Sequence, residues 1–514
     1  MTVSRRTFVA GSVSALMATG LTSTSALGSP LPAEPAYRIP VSPDDTPDDL
    51  VRKASRVRPT ARQIAWQALE RTAFLHFGVN TFTGLEWGTG DEDPDVFQPT
   101  NLDTDQWARA LRDGGFRLAI LTVKHHDGFV LYPSRYTDHS VASSSWRDGR
   151  GDVLRSFADS MRRHGLKVGV YISPADENQY LDGVYANGSA RSTRTVPTLV
   201  AGDDRTPPQT YTLDATDYGA HMLNQLYEVL TEYGPVDEVW FDGAQGRIPS
   251  DKVESYDWDS WYTLVRALAP DAAIAVTGPD LRWVGNESGL AREDEWSVVP
   301  VKENQYGRTD WALSYDTPDE GSRAALVTAQ PKTDHLQWWP AECDVSIRDG
   351  WFYHADQQPK SVDQLTDIYF GSVGRNAVLL LNVPPGTDGL LPAADVTRLR
   401  EFRERVDREL PEDLTRGART VTSQGTVTVD LGAVRAVDRV RLAEDIRHGQ
   451  QIEGFVVEAY LDGAWREVVT AGTVGASRIL LLPTTVRARR WRLRVTAARS
   501  AVHVAEFGLY KSRV

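Results

Sequence analysis

Four apolar runs in this chain end in residues able to do chemistry. They are Thr72-Ala-Phe-Leu-His-Phe-Gly78, Leu121-Thr-Val-Lys-His-His-Asp-Gly128, Val168-Gly-Val-Tyr-Ile-Ser173 and Val239-Trp-Phe-Asp-Gly243. Each reads as a buried parallel strand running into a loop. In a (β/α)8 barrel the strand C-terminal ends open on one mouth, where catalysis sits. His76, His125, His126, Tyr171 and Asp242 would then converge from distant parts of the sequence.

The rest of the chain supports an α/β reading. Helical spacing is expected near 104–112, 152–164, 216–232 and 257–268, with strands near 117–123, 167–172, 236–241 and 272–277 between them. Alternation of this kind implies βα units around a parallel sheet. A helix near 361–372, a strand at 377–381 and a helix near 393–410 would finish the domain. The irregular stretch 280–350 leaves strands six and seven unplaced. After Pro411 the pattern changes to short alternating strands, with Asp462-Gly463 as a hairpin turn. The fold class expected is a (β/α)8-like TIM barrel over 61–410 followed by an antiparallel β-sandwich over 411–514.

Two N-terminal segments precede the barrel. Ser4-Arg-Arg-Thr-Phe-Val9, a mildly apolar stretch and Ala26-Leu27-Gly28 read as a twin-arginine export signal over 1–28. That stretch is too short and polar to span a membrane. Residues 29–60, rich in Pro, Asp and Ser, read as a linker. The single cysteine, Cys343, has no intrachain partner and is expected to be a small packed residue. A formal charge of −14 without a basic run beyond the N-terminus argues against nucleic-acid binding.

Asp242 ends an apolar strand beside Gly243, where a carboxylate serves as nucleophile or general base, or caps the next helix. His125 and His126 follow a strand; with His76 and Asp242 they could be pictured as metal ligands, but no HExxH-like spacing or cysteine cluster supports that. Hydrogen bonding to substrate hydroxyls is the simpler role. Glu86 and Trp87 pair a carboxylate with an aromatic, which suits a sugar's hydroxyls and apolar face. Glu287, in Val284-Gly-Asn-Glu-Ser-Gly289, is a candidate general acid, in competition with Glu293, Asp294 and Glu295. Glycoside hydrolysis needs two such carboxylates.

Five motifs in order carry a resemblance: Phe74-Leu-His-Phe-Gly-Val-Asn-Thr-Phe82, Leu85-Glu-Trp-Gly-Thr-Gly90, Lys124-His-His-Asp-Gly-Phe129, Trp240-Phe-Asp-Gly243 and Leu379-Leu-Leu-Asn-Val-Pro-Pro385. Together they resemble the α-L-fucosidases of glycoside hydrolase family 29. The resemblance implies a retaining enzyme with Asp242 as nucleophile. It implies fucose contacts from His76, Glu86, Trp87, His125, His126, Tyr171 and Trp240, and no metal or organic cofactor. The Gly-Asn-Glu-Ser-Gly segment looks like the branch specific for α-1,3/1,4-linked fucose on branched, Lewis-type glycans, which places the acid/base on Glu287. Trp338-Trp339 could shape a site for the neighbouring sugar. The C-terminal domain resembles galactose-binding-like modules, where Trp465 and Trp491 are expected to pack rather than stack on sugar. The alternatives are a sugar-binding protein without turnover, a hydrolase of another sugar, and a fucosidase of broad or α-1,2 linkage range.

Overall fold

Eight parallel strands form the sheet that positions the site: β1 (Arg71–Leu75), β2 (Leu118–Lys124), β3 (Lys167–Ile172), β4 (Glu238–Phe241), β5 (Ala273–Val276), β6 (Arg282–Trp283), β7 (Ala341–Ser346) and β8 (Val378–Asn382). The computed structural model describes residues 36–203, 206–304, 308–311, 319–328, 332–423 and 425–514. The export signal expected over 1–28 lies outside these residues. The sheet order is β5-β4-β3-β2-β1-β8-β7-β6, a near-closed barrel in which no ladder joins β5 to β6.

Burial explains the apolar runs. Every residue of β1, β2 and β8 is buried, because helices cover one face and the barrel interior the other. Alternation then sorts the side chains. Phe74, Ile120, Tyr171 and Trp240 share the interior cluster. Leu75, Leu121 and Phe241 pack outward with Trp107, Leu154 and Trp261 of the helices. The helices Thr104–Asp113, Val153–Arg163 and Asp217–Glu232 begin at Asp103, Asp152 and Thr216, whose side chains accept first-turn N–H groups.

Strands β6 and β7 escaped the sequence pattern for a physical reason. β6 has two residues. β7 reads Ala-Glu-Cys-Asp-Val-Ser, and all six residues are buried. Cys343 packs with Val284, Ala291, Ala341 and Ala377. The polar alternates Glu342, Asp344 and Ser346 each make a side-chain hydrogen bond, so no apolar run marks the strand.

The linker expected over 29–60 needs correction from residue 38 onward. Arg38–Pro40 pairs antiparallel with residues 335–337. Pro47–Ala54 is a helix with a Thr46/Asp49 capping box and Pro at its start, burying Leu50 and Ala54. The Pro and Asp residues that suggested a linker are helix-start chemistry. Trp338 and Trp339 also correct the expectation of a sugar site. Both are buried, their indole N–H groups donating to Gln67 and to the Gly278 carbonyl.

The C-terminal β-sandwich is a connected antiparallel set built on two long strands, Thr426–Glu444 and Arg478–Ala498. Register shifts between Asp430 and Arg435 and between Val437 and Arg439 interrupt the ladder. That is why each long strand reads in sequence as two short ones. Asp462 and Gly463 have φ of 50° and 79°, the two positive values a type I′ hairpin requires. Trp491 is core.

One buried ion pair ties β6 to the following loop. Arg282 and Glu295 are both almost wholly buried and in contact, and Arg292 reaches the same carboxylate at 3.0 Å. Arg282→Met strands part of a buried charge and is expected to cost about 3–5 kcal/mol. Thermal unfolding checks this: the midpoint should fall by several degrees, and an unchanged midpoint would contradict it.

Candidate active site

All nine side chains singled out from sequence line one cavity of about 300 Å³ at the C-terminal ends of the barrel strands: His76, Glu86, Trp87, His125, His126, Tyr171, Trp240, Asp242 and Glu287. Phe74, Trp283, Arg308, Asp344 and Trp351 join them.

Asp242 follows the last residue of β4. Its Oδ2 accepts a hydrogen bond from the Tyr171 hydroxyl at 2.7 Å, and its Oδ1 accepts from the Ala244 backbone N–H at 2.7 Å. His126 Nε2 stands 3.7 Å away. The carboxylate is thus aimed by fixed donors and still reaches the cavity. Tyr171 is itself held between rings, stacked on His125 at 5.5 Å and on Trp240 at 5.2 Å. Burial, then the Asp242 charge, pushes its hydroxyl well above the ordinary phenol range, so it stays a donor.

Consecutive His125 and His126 both reach the cavity because the β2–β3 ladder shifts register between Thr122 and Lys124. Below them the buried Lys124 ammonium pairs with Asp176 at 2.9 Å and anchors the strand end. His126 Nδ1 is 2.7 Å from the Ser173 hydroxyl. His76 Nδ1 is 2.9 Å from Asn382 Oδ1. The Asn382 amide is oriented by its own donation to the Trp351 carbonyl at 2.7 Å. His76 Nδ1 therefore carries the proton and leaves Nε2 as an acceptor. Burial lowers its pKa to about 4, which keeps the ring neutral. His125 is lowered further, by burial and then by the neighbouring histidines. Among the described residues no group of three or more His, Cys, Asp or Glu side chains could hold a metal ion.

Glu287 projects from the exposed loop after β6. Its pKa is raised, first by partial desolvation and then by the charge of Asp242, with Glu86 adding a smaller push. The loop is pinned to β7: Gly289 N–H donates to the Asp344 carbonyl at 3.1 Å. Gly289 has φ +73°, and a Cβ there would meet Val345 and Ile368 at 2.8 Å, so glycine is required. The three competing carboxylates do not line the cavity. Glu295 is spent on Arg282 and Arg292, Glu293 faces Arg478, and Asp294 accepts from the Thr473 N–H.

Glu86 accepts from the Trp351 N–H at 2.9 Å and meets His354 Nε2 at 2.8 Å. Trp87 stands at the rim, 48% exposed, its ring edge-on to His126. An exposed indole beside a fixed carboxylate can meet the apolar face of a sugar and its hydroxyls. The residues missed from sequence come mostly from β6, β7 and the following loop. Trp283 donates its indole N–H to Asp344 at 2.7 Å, one of the polar alternates that disguised β7.

A profile of the family described as Alpha-L-fucosidase matches residues 66–407. Alpha-L-fucosidase 1 of Arabidopsis thaliana is 35% identical over 489 residues, covering 88% of each chain. The crystal structure of a candidate α-L-fucosidase from Bacteroides ovatus superposes with a TM-score of 0.81 at 40% identity, covering 94% of this chain and 78% of that one. A Ruminococcus gnavus glycoside hydrolase family 29 fucosidase solved with fucose gives 0.71 at 28% identity, covering 89% of this chain and 95% of that one.

Proposed function

The chain belongs to the α-L-fucosidase family, and from that premise we propose that it hydrolyses terminal α-1,3/1,4-linked L-fucose on branched, Lewis-type glycans with retention of configuration. The observation that carries the mechanism is the pairing of Asp242 and Glu287 in one cavity. One carboxylate is aimed by the Tyr171 hydroxyl and the Ala244 N–H, and the other is raised by desolvation and by the first.

The reaction runs in two steps. An Asp242 oxygen attacks the anomeric carbon as the glycosidic C–O bond breaks, and Glu287 gives its proton to the departing oxygen. Water then attacks the fucosyl ester, Glu287 takes its proton, and Asp242 leaves as carboxylate. His76 Nε2, the imidazoles of His125 and His126, and Glu86 hold the sugar hydroxyls. The aromatic wall of Phe74, Trp240 and Trp351 packs the C5 methyl group. Trp87 forms part of the rim. No step calls for a metal or organic cofactor.

The linkage assignment rests on the Gly285-Asn-Glu-Ser-Gly289 resemblance. Its test is release of L-fucose from a Lewis-type trisaccharide and from 2′-fucosyllactose. Release from the branched substrate only supports it; equal release from both overturns it. Export by the twin-arginine route rests on Ser4-Arg-Arg-Thr-Phe-Val9. A Lys-Lys replacement of Arg5-Arg6 should retain the protein in the cytoplasm, and unchanged export would refute the route. Among the described residues no helix is long and apolar enough to cross a membrane.

The raised Glu287 also sets a pH dependence. Glycosylation needs Glu287 protonated, so kcat/KM falls on the alkaline side as it ionises. The Glu86 charge opposes that ionisation. In Glu86→Gln the proton leaves Glu287 more easily, and the alkaline limb should move to lower pH. A limb that moves upward would contradict the assignment of Glu287.

A further inference from the structure

Beneath the pocket floor lies a pair of carboxyl groups that the mechanism does not use. Glu238 on β4 and Glu342 on β7 are both buried inside the barrel. Each accepts an indole N–H through Oε2: Glu238 from Trp66 at 3.0 Å, Glu342 from Trp240 at 2.9 Å. Burial raises both, and the charge of Glu238 adds to the shift of Glu342, so the pair keeps at least one proton near neutrality. A fold-stabilising role alone does not require carboxyls here, since apolar side chains fill barrel interiors without desolvation cost.

The contacts above Glu342 lead to the reaction centre. Trp240, fixed by Glu342, stacks on Tyr171 with ring centroids 5.2 Å apart and planes 22° apart. His125 stacks on Tyr171 at an interplanar angle of 14°. The Tyr171 hydroxyl donates to Asp242 Oδ2 at 2.7 Å. Phe74 meets Tyr171 and Trp240 edge-on, at 6.0 and 5.1 Å. An indole free to tilt would release the tyrosine, and a tyrosine displaced by a fraction of an ångström misaims the carboxylate.

We propose that Glu342 is a positioning residue for the nucleophile, acting through Trp240 and Tyr171 on Asp242. The proposal rests on the reading of Asp242 as nucleophile. It predicts that the carboxyl matters as a hydrogen-bond acceptor, so glutamine replaces it and leucine does not.

A double-mutant cycle tests this on the full-length protein with an aryl α-L-fucoside. Glu342→Leu should lower kcat about 10- to 30-fold with KM changed less than about threefold, the signature of an interaction felt in the transition state. Glu342→Gln should keep kcat within about threefold of wild type. In a Tyr171→Phe background, Glu342→Leu should cost less than about threefold further, because the path is already cut. Multiplying losses, or Glu342→Gln as damaging as Glu342→Leu, would overturn the proposal. If Glu342→Leu fails to fold, Glu342→Met takes its place, removing the acceptor with a side chain of similar length; its kcat loss should likewise shrink in the Tyr171→Phe background, and a full multiplicative loss overturns the proposal. Asp242→Ala run alongside separates the two readings. Activity retained there defeats the nucleophile assignment itself. An inactive Asp242→Ala with multiplying Glu342 and Tyr171 losses defeats only the positioning role.

Discussion

Asp242→Ala is expected to lower kcat on an aryl α-L-fucoside by about 10³-fold or more, because the proposed mechanism forms its covalent intermediate on this carboxylate. The fold should survive. The side chain is partly exposed, and it accepts hydrogen bonds from the Tyr171 hydroxyl and the Ala244 N–H at the cavity rather than from the core. Far-ultraviolet circular dichroism and an unchanged unfolding midpoint check that. The space vacated by the carboxylate admits a small anion. Azide entering there attacks from the face opposite the leaving group and should give the β-L-fucosyl azide. A variant keeping more than about a tenth of wild-type kcat would remove Asp242 from the nucleophile role.

Glu287→Ala should behave differently, and the difference identifies the acid. Loss of general-acid help costs on the order of 10²–10⁴-fold on a glycan, whose leaving alcohol needs the proton. An aryl fucoside with a good leaving group should lose much less in its first step, leaving deglycosylation slow. Azide needs no base, so it should restore turnover and give the α-L-fucosyl azide, the configuration opposite to that from Asp242→Ala. Equal losses on both substrates, with no azide rescue in a folded protein, would point away from Glu287. The rivals left open by the sequence are engaged elsewhere: Glu295 is committed to two arginines, and Glu293 and Asp294 face the region of Arg478 and Thr473. Glu86 and Asp344 share the cavity but are held by the Trp351 N–H and His354 and by the Trp283 indole N–H.

Legibility of the fold followed burial. Strands β1 to β5 and β8 announce themselves as apolar runs because both of their faces are covered. β7 is just as buried, yet its inward side carries Glu342, Asp344 and Ser346, each hydrogen-bonded to a partner that sequence cannot foresee. The same blind spot hid Trp283 and Asp344 from the site. Residues 46–49 show the converse error. Thr, Pro and two Asp suggested a linker by composition, whereas their order spells a capping box. Trp338 and Trp339 show that tryptophan content says nothing of direction, since both indoles point into the core.

The candidate site was legible where chemistry sits at strand ends, since the barrel geometry fixes where those ends go. His76, His125, His126, Tyr171 and Asp242 needed only the strand assignment. Glu287 needed more. Sequence left it level with Glu293, Asp294 and Glu295 until the resemblance favoured it. In the structure the pinned loop before Gly289 turns Glu287 towards the cavity, and the arginines claim its rivals.

Trapping the covalent intermediate tests the central claim most directly. The enzyme is incubated with 2-deoxy-2-fluoro-L-fucosyl fluoride, whose fluorine slows deglycosylation, then digested, and the labelled peptide is sequenced by mass spectrometry. The account predicts a single fucosyl ester on Asp242, within the peptide containing Val239-Trp-Phe-Asp-Gly243. A label on any other carboxylate, or turnover of the substrate with no covalent adduct, would contradict it.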